Sequence, residues 1–131
     1  MWKYNPSPDR WSIHEIIVHI ADSETNSYIR CRRFIAEPGK PVLGYDEFGW
    51  SKALLYHKQS TEDALELFKY LRRGTYNLIK SLPDSTWSNT VEHSESGTMS
   101  FERWLEIYEK HPHSHINQMQ KVFEDWKASR K

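Results

Sequence analysis

The stretch Trp104-Leu105-Glu106-Ile107-Tyr108-Glu109-Lys110-His111-Pro112-His113-Ser114-His115-Ile116-Asn117-Gln118-Met119 carries the strongest fold signal in the chain. One line through it runs Trp104, Tyr108, His111, His115, Met119, Val122, Trp126, in steps of 4, 3, 4, 4, 3 and 4. That spacing is a helix face turned toward a core. Two histidines interrupt the apolar line four residues apart, so their rings sit one turn above the other. An imidazole in a core needs partners for its ring nitrogens, because an unpaired buried polar group costs about 1–3 kcal/mol. Two rings on one face are satisfied most economically by a shared metal ion. His113 falls off this face and should point elsewhere. Pro112 lies between the two histidines, removes one backbone donor and crowds the carbonyl near Tyr108. It predicts either a kink that aims the rings or a break at which a new helix begins.

Working outward, a second helix is predicted from about Ser12 to Glu37. Ser12 and Glu15 have the spacing of a capping box, and Pro38-Gly39 ends the helix. Its core stripe is Ile13, Ile16, Ile20, Ser23, Ser27, Cys31 and Phe34. His19 lies beside the stripe, with Asp22 placed to orient it. Residues 1–10, with Pro6 and Pro8, read as an extended lead-in. A long connection over residues 38–60 contains a short helix from Glu47 to about Tyr56, capped by Asp46. Another long helix starts at Ser60 or Thr61 and ends at Leu82-Pro83. Its stripe is Ala64, Leu67/Phe68, Leu71, Thr75, Leu78/Ile79 and Leu82, with Arg72 and Arg73 read as solvated. Residues 85–98 are polar and read as irregular, with His93 on the surface. Ser100 caps the final helix, which runs to about Lys127.

The composition limits the function. Eighteen Lys and Arg balance 18 Asp and Glu. That balance gives no electrostatic case for nucleic acid or an anionic membrane. No apolar run suits a membrane span and no signal peptide is evident. The single cysteine, Cys31, permits no internal disulfide, fits a reducing cytoplasm, and reads as a buried inert thiol. Strand signals are scarce, so residues 1–131 read as one all-α domain.

His19, His111 and His115 would supply three nitrogens from two helices. Three protein ligands leave a coordination position open, which is the arrangement of a catalytic ion. Asp22 and Gln118 are candidate partners for the imidazoles. No His-Glu-x-x-His element, Gly-rich phosphate loop or Gly-x-Ser-x-Gly elbow is present, and no general base stands out. Two readings stand beside the catalytic one. The histidines could staple two helices through a structural ion in an interaction module, or be hydrogen-bonded core residues with no ion.

The blocks Trp11–Ser23, Tyr28-Ile29-Arg30, Tyr45-Asp46 with Trp50, and His111–Gln118 resemble the DinB/YfiT-like superfamily of helical metalloproteins. The family's first histidine ligand falls on His19 and its His-x-x-x-His pair on His111 and His115. The resemblance implies a four-helix bundle in an up-down-down-up arrangement and a divalent metal such as zinc or nickel. It further implies a homodimer, and a thiol S-transferase acting with a low-molecular-weight thiol or a metal-dependent hydrolase. Only about ten residues precede the Trp-Ser block, so the bundle is expected to lack most of its first helix.

Overall fold

The computed structural model describes residues 1–131. Ser12 caps the first helix, α1 (Ile13–Ala36): its hydroxyl accepts the Glu15 amide, and the Glu15 carboxylate accepts the Ser12 amide at 2.9 Å. The predicted capping box is therefore closed, and Asn5 also donates to Glu15. All seven stripe residues are buried. Val18, Ala21 and Glu24 are buried as well, so α1 is covered on two flanks and forms the axis of the molecule. The helix stops at Glu37, and Gly39 turns the chain at φ +82, a conformation that favours glycine.

Strand β1 (Pro41–Val42) follows, then α2 (Glu47–Ala53), capped by Asp46, which accepts the Gly49 amide. A 3₁₀ turn at Tyr56–Lys58 seats the buried Tyr56 under α1, where its hydroxyl donates to Asp22. Helix α3 (Thr61–Ile79) is capped by Ser60. Of its predicted stripe only Ala64 and Thr75 are fully buried; Leu67 and Leu78 are exposed. Helices α3 and α4 (Phe101–Ser129, capped by Ser100) both lie against α1, and their backbones approach one another at few places. The α3 side chains that point away from α1 therefore have no partner helix within the chain.

The polar segment read as irregular is ordered. After a 3₁₀ turn at Asp84–Ser88, strands β2 (Thr90–His93) and β3 (Gly97–Ser100) form an antiparallel hairpin, and β1 pairs in parallel with β2. This small sheet corrects the expectation of helices alone. Each strand is at most four residues long and β2 buries only Val91, too short a pattern for periodicity to register. Val91 joins Cys31, Phe34, Val42, Phe101 and Trp104 in a core cluster at this end. The Phe34 and Phe101 rings stack at 5.0 Å and the Trp87 and Phe101 rings at 4.6 Å. Such pairs add about 0.5–1.5 kcal/mol each beyond their area. His93 sits at the hairpin rather than free on the surface: its Nδ1 accepts the amides of Glu95 and Ser96.

Pro112 lies inside α4, which continues through it without interruption, so no new helix begins there. With the register unbroken, Trp104 and Val122 are buried, Tyr108, His111, His115, Met119 and Trp126 are half-buried, and His113 is exposed. No helix is long and apolar enough to cross a membrane.

Candidate metal centre

His19 lies on the second turn of α1, fully buried, and His111 and His115 face it from successive turns of α4. Their Nε2 atoms converge: His19 to His115 is 3.1 Å and His115 to His111 is 2.9 Å. One ligand atom from each residue lies within 4.8 Å of the others. The predicted meeting of three imidazoles is thus realised. Trp11 covers the outer side, its ring 4.5 Å from that of His19. It is held by a bond from Nε1 to Ser51 Oγ and by the Phe48 ring. Helix α2 therefore buttresses the centre through one tryptophan.

The donor set fits a transition-metal ion. Nitrogens about 2.0–2.1 Å from a tetrahedral ion stand roughly 3.3 Å apart, close to the separations of His115 from His19 and from His111. Hydrogen bonding alone serves the cluster poorly. His115 Nδ1 faces Gln118 Oε1 at 2.8 Å, and with the proton assigned there, Nε2 of His115 turns a lone pair to both neighbours. Two rings cannot both donate usefully to one lone pair, whereas a cation placed between them is attracted by all three. His19 Nδ1 is buried with no partner.

Gln118 is where sequence reasoning placed it. Asp22 is not: its carboxylate accepts the Tyr56 hydroxyl instead of orienting His19. Arg72 is also corrected. It is no solvated side chain but bonds the buried Glu24. Sequence reasoning missed Trp11 as the cover of His19, and Tyr45, whose hydroxyl is buried without a partner and whose ring lies 4.4 Å from that of Trp50. Burial, then the Glu47 carboxylate, pushes the Tyr45 phenol up. Burial raises the Glu47 carboxyl, against the pull of His115. No periodicity marks these residues, because a loop and a short helix bring them to the site.

Burial, then His115 and His111, holds His19 down at about 3; burial, then His115 and Arg72, holds His111 at about 4. Both rings are neutral at physiological pH, the form that binds metal. The folded values lie below the ordinary 6.5, so the unfolded chain takes up protons first as pH falls. This contribution to stability is present above pH 6.5 and is lost as pH drops toward those values. Melting temperature of the metal-free protein should fall between about pH 7 and 5, a window above most carboxylate titration. An unchanged melt there would contradict neutral burial.

A family model for the DinB superfamily matches residues 1–119. The chain belongs to this superfamily. Similar proteins occur in Oceanobacillus iheyensis (32% identical over 106 residues, covering 81% of this chain and 61% of the relative) and in Halalkalibacterium halodurans (26% over 112 residues, 86% and 65%). YfiT of Bacillus subtilis is 28% identical over 107 residues, covering 81% and 60%. All three carry names that assign metal-dependent hydrolase activity provisionally. The chain thus spans roughly three fifths of the length of the curated relatives it matches. The solved structure of YfiT, described as a four-helix bundle of unusual topology, superposes with a TM-score of 0.87 at 24% identity. The match covers 96% of this chain and 73% of that one. This likeness shows the four-helix-bundle fold.

Proposed function

We propose that the chain binds one divalent metal ion through His19, His111 and His115 and acts as a metal-dependent hydrolase. The observation that carries this reading is the convergence of three Nε2 atoms, His115 lying 3.1 and 2.9 Å from its two neighbours. The provisional names of the relatives support the reaction class. The ion, when bound, would act as a Lewis acid that lowers the pKa of water or a thiol, so that a nucleophile forms near neutral pH. The chain's own residues do the rest. Gln118 fixes the His115 ring by its bond to Nδ1. Trp11 shields His19 from water, and burial keeps His19 and His111 unprotonated. Zinc or nickel suits an all-imidazole set. A finer form of the proposal is thiol S-transfer to a small molecule from a low-molecular-weight thiol, in the cytoplasm.

Elemental analysis and calorimetric titration with zinc test the ion: one equivalent per chain is expected, and loss of it in His19→Ala. A protein that takes up no metal would leave the histidines as hydrogen-bonded core residues. One that binds metal and melts lower on chelation, yet turns over no ester or thiol substrate, would be a stapled interaction module.

A homodimer belongs to the same proposal. Leu65, Leu67, Tyr70, Tyr76 and Leu78 of α3 and Ile116 and Phe123 of α4 are exposed. A second copy of the chain would cover part of this apolar surface. Sedimentation at micromolar concentration should give twice the chain mass, and a monomer would end this part of the proposal.

A further inference from the structure

Pro112 has no amide hydrogen, so the carbonyl of Tyr108, four residues earlier, loses its α-helical partner. In the folded chain that carbonyl is taken from across the bundle: Arg72 Nη2, on α3, donates to Tyr108 O at 3.2 Å. The same guanidinium grips Glu24 of α1 with two prongs, Nε to Oε1 at 2.9 Å and Nη2 to Oε2 at 2.7 Å. Nη2 carries two hydrogens, so it serves Glu24 and Tyr108 together. Glu24 is only 2% exposed, and the planar fork leaves the guanidinium one orientation against it. Three helices are tied at a single side chain, and the Tyr108 carbonyl it holds lies three residues before His111.

We propose that Arg72, clamped by Glu24, is a positioning residue for the metal centre. It replaces the backbone bond that Pro112 deletes. In doing so it sets the direction in which α4 leaves residue 108, and hence where His111 and His115 meet His19. The inference rests on the metal reading of the three histidines. Lysine would not substitute: one ammonium cannot match both carboxylate oxygens in a plane and reach the carbonyl as well.

A cycle built on Pro112 separates this role from simple clamping of helices. Removing Arg72 alone would leave a buried carboxylate unpaired. The pair is therefore neutralised together, as Glu24→Gln with Arg72→Gln, in chains carrying Pro112 or Pro112→Ala. Zinc affinity is read by competition with a chelator, and helix content by circular dichroism. With Pro112 present, the neutral pair should bind zinc about tenfold more weakly, the size of effect known for groups that orient ligands. In Pro112→Ala the amide of residue 112 bonds Tyr108 O, and the same double change should alter affinity by less than about threefold. Should the neutral pair fail to fold, Arg72→Lys in both backgrounds is expected to give the same pattern. Equal losses in both backgrounds, or no loss in either, would overturn the positioning role while leaving the metal site standing. A wild-type chain that takes no zinc would overturn the metal reading and this inference with it.

Discussion

His115→Ala should bind zinc roughly a hundredfold or more weakly than the unaltered chain while keeping its helices. The magnitude follows from the share of one ligand in the total affinity of small protein zinc sites, about 10–16 kcal/mol over four ligands. His115 is the ring whose Nε2 lies within bonding distance of both others, so its loss removes the shortest contact between α1 and α4 at the centre. The fold should survive for three reasons. The residue is half-buried, its only other bond is to Gln118 one turn away, and alanine favours helix. Titration calorimetry gives the affinity and circular dichroism the helix content. An affinity equal to wild type would place the ion elsewhere. Loss of helix together with affinity would make His115 a fold residue first. Catalysis on any ester or thiol substrate should disappear along with the ion.

Arg72→Ala should lower stability by about 3–5 kcal/mol, the cost of breaking a buried ion pair from one side. Arg72 itself is about one-third exposed, but Glu24 is 2% exposed, and the penalty falls on the carboxylate left behind without water or counter-charge. The Tyr108 carbonyl loses its donor in the same step. For a chain of this size the melting temperature should drop by about 11–18 °C. Glu24→Gln with Arg72→Gln should recover much of that loss, because no uncompensated charge remains. A drop of only a degree or two for Arg72→Ala would show that water reaches Glu24 in solution. By contrast Arg33 and Glu37, both nearly half exposed, should contribute under about 1 kcal/mol although their oxygen–nitrogen distance is the same 2.7 Å.

The two long histidine-bearing helices were legible because each signals in several ways at once. Ser12 with Glu15 marks a start, Pro38-Gly39 marks a stop, and the stripe from Ile13 to Phe34 holds its phase over six turns. The hairpin from Thr90 to Ser100 was not legible, since β2 turns a single apolar residue inward. Asp22 and Tyr56 are 34 residues apart, and nothing in the spacing of either marks the bond that takes Asp22 from His19. Pro112 did mark the loss of a backbone donor near Tyr108. It could not say that the replacement would come from Arg72 on another helix.

The sequence by itself determined the long helices, their caps, the inward faces of α1 and α4 and the histidines that ride on them. Those properties depend on residues three or four apart, where backbone geometry alone sets the neighbours. Only the tertiary structure decided that His19 reaches within 3.1 Å of a ring 96 residues away, that Trp11 covers it, and that one guanidinium ties three helices beside it. Such contacts arise from how helices cross and which rotamers fit the space between them. That is a property of the packed interior as a whole rather than of any local pattern.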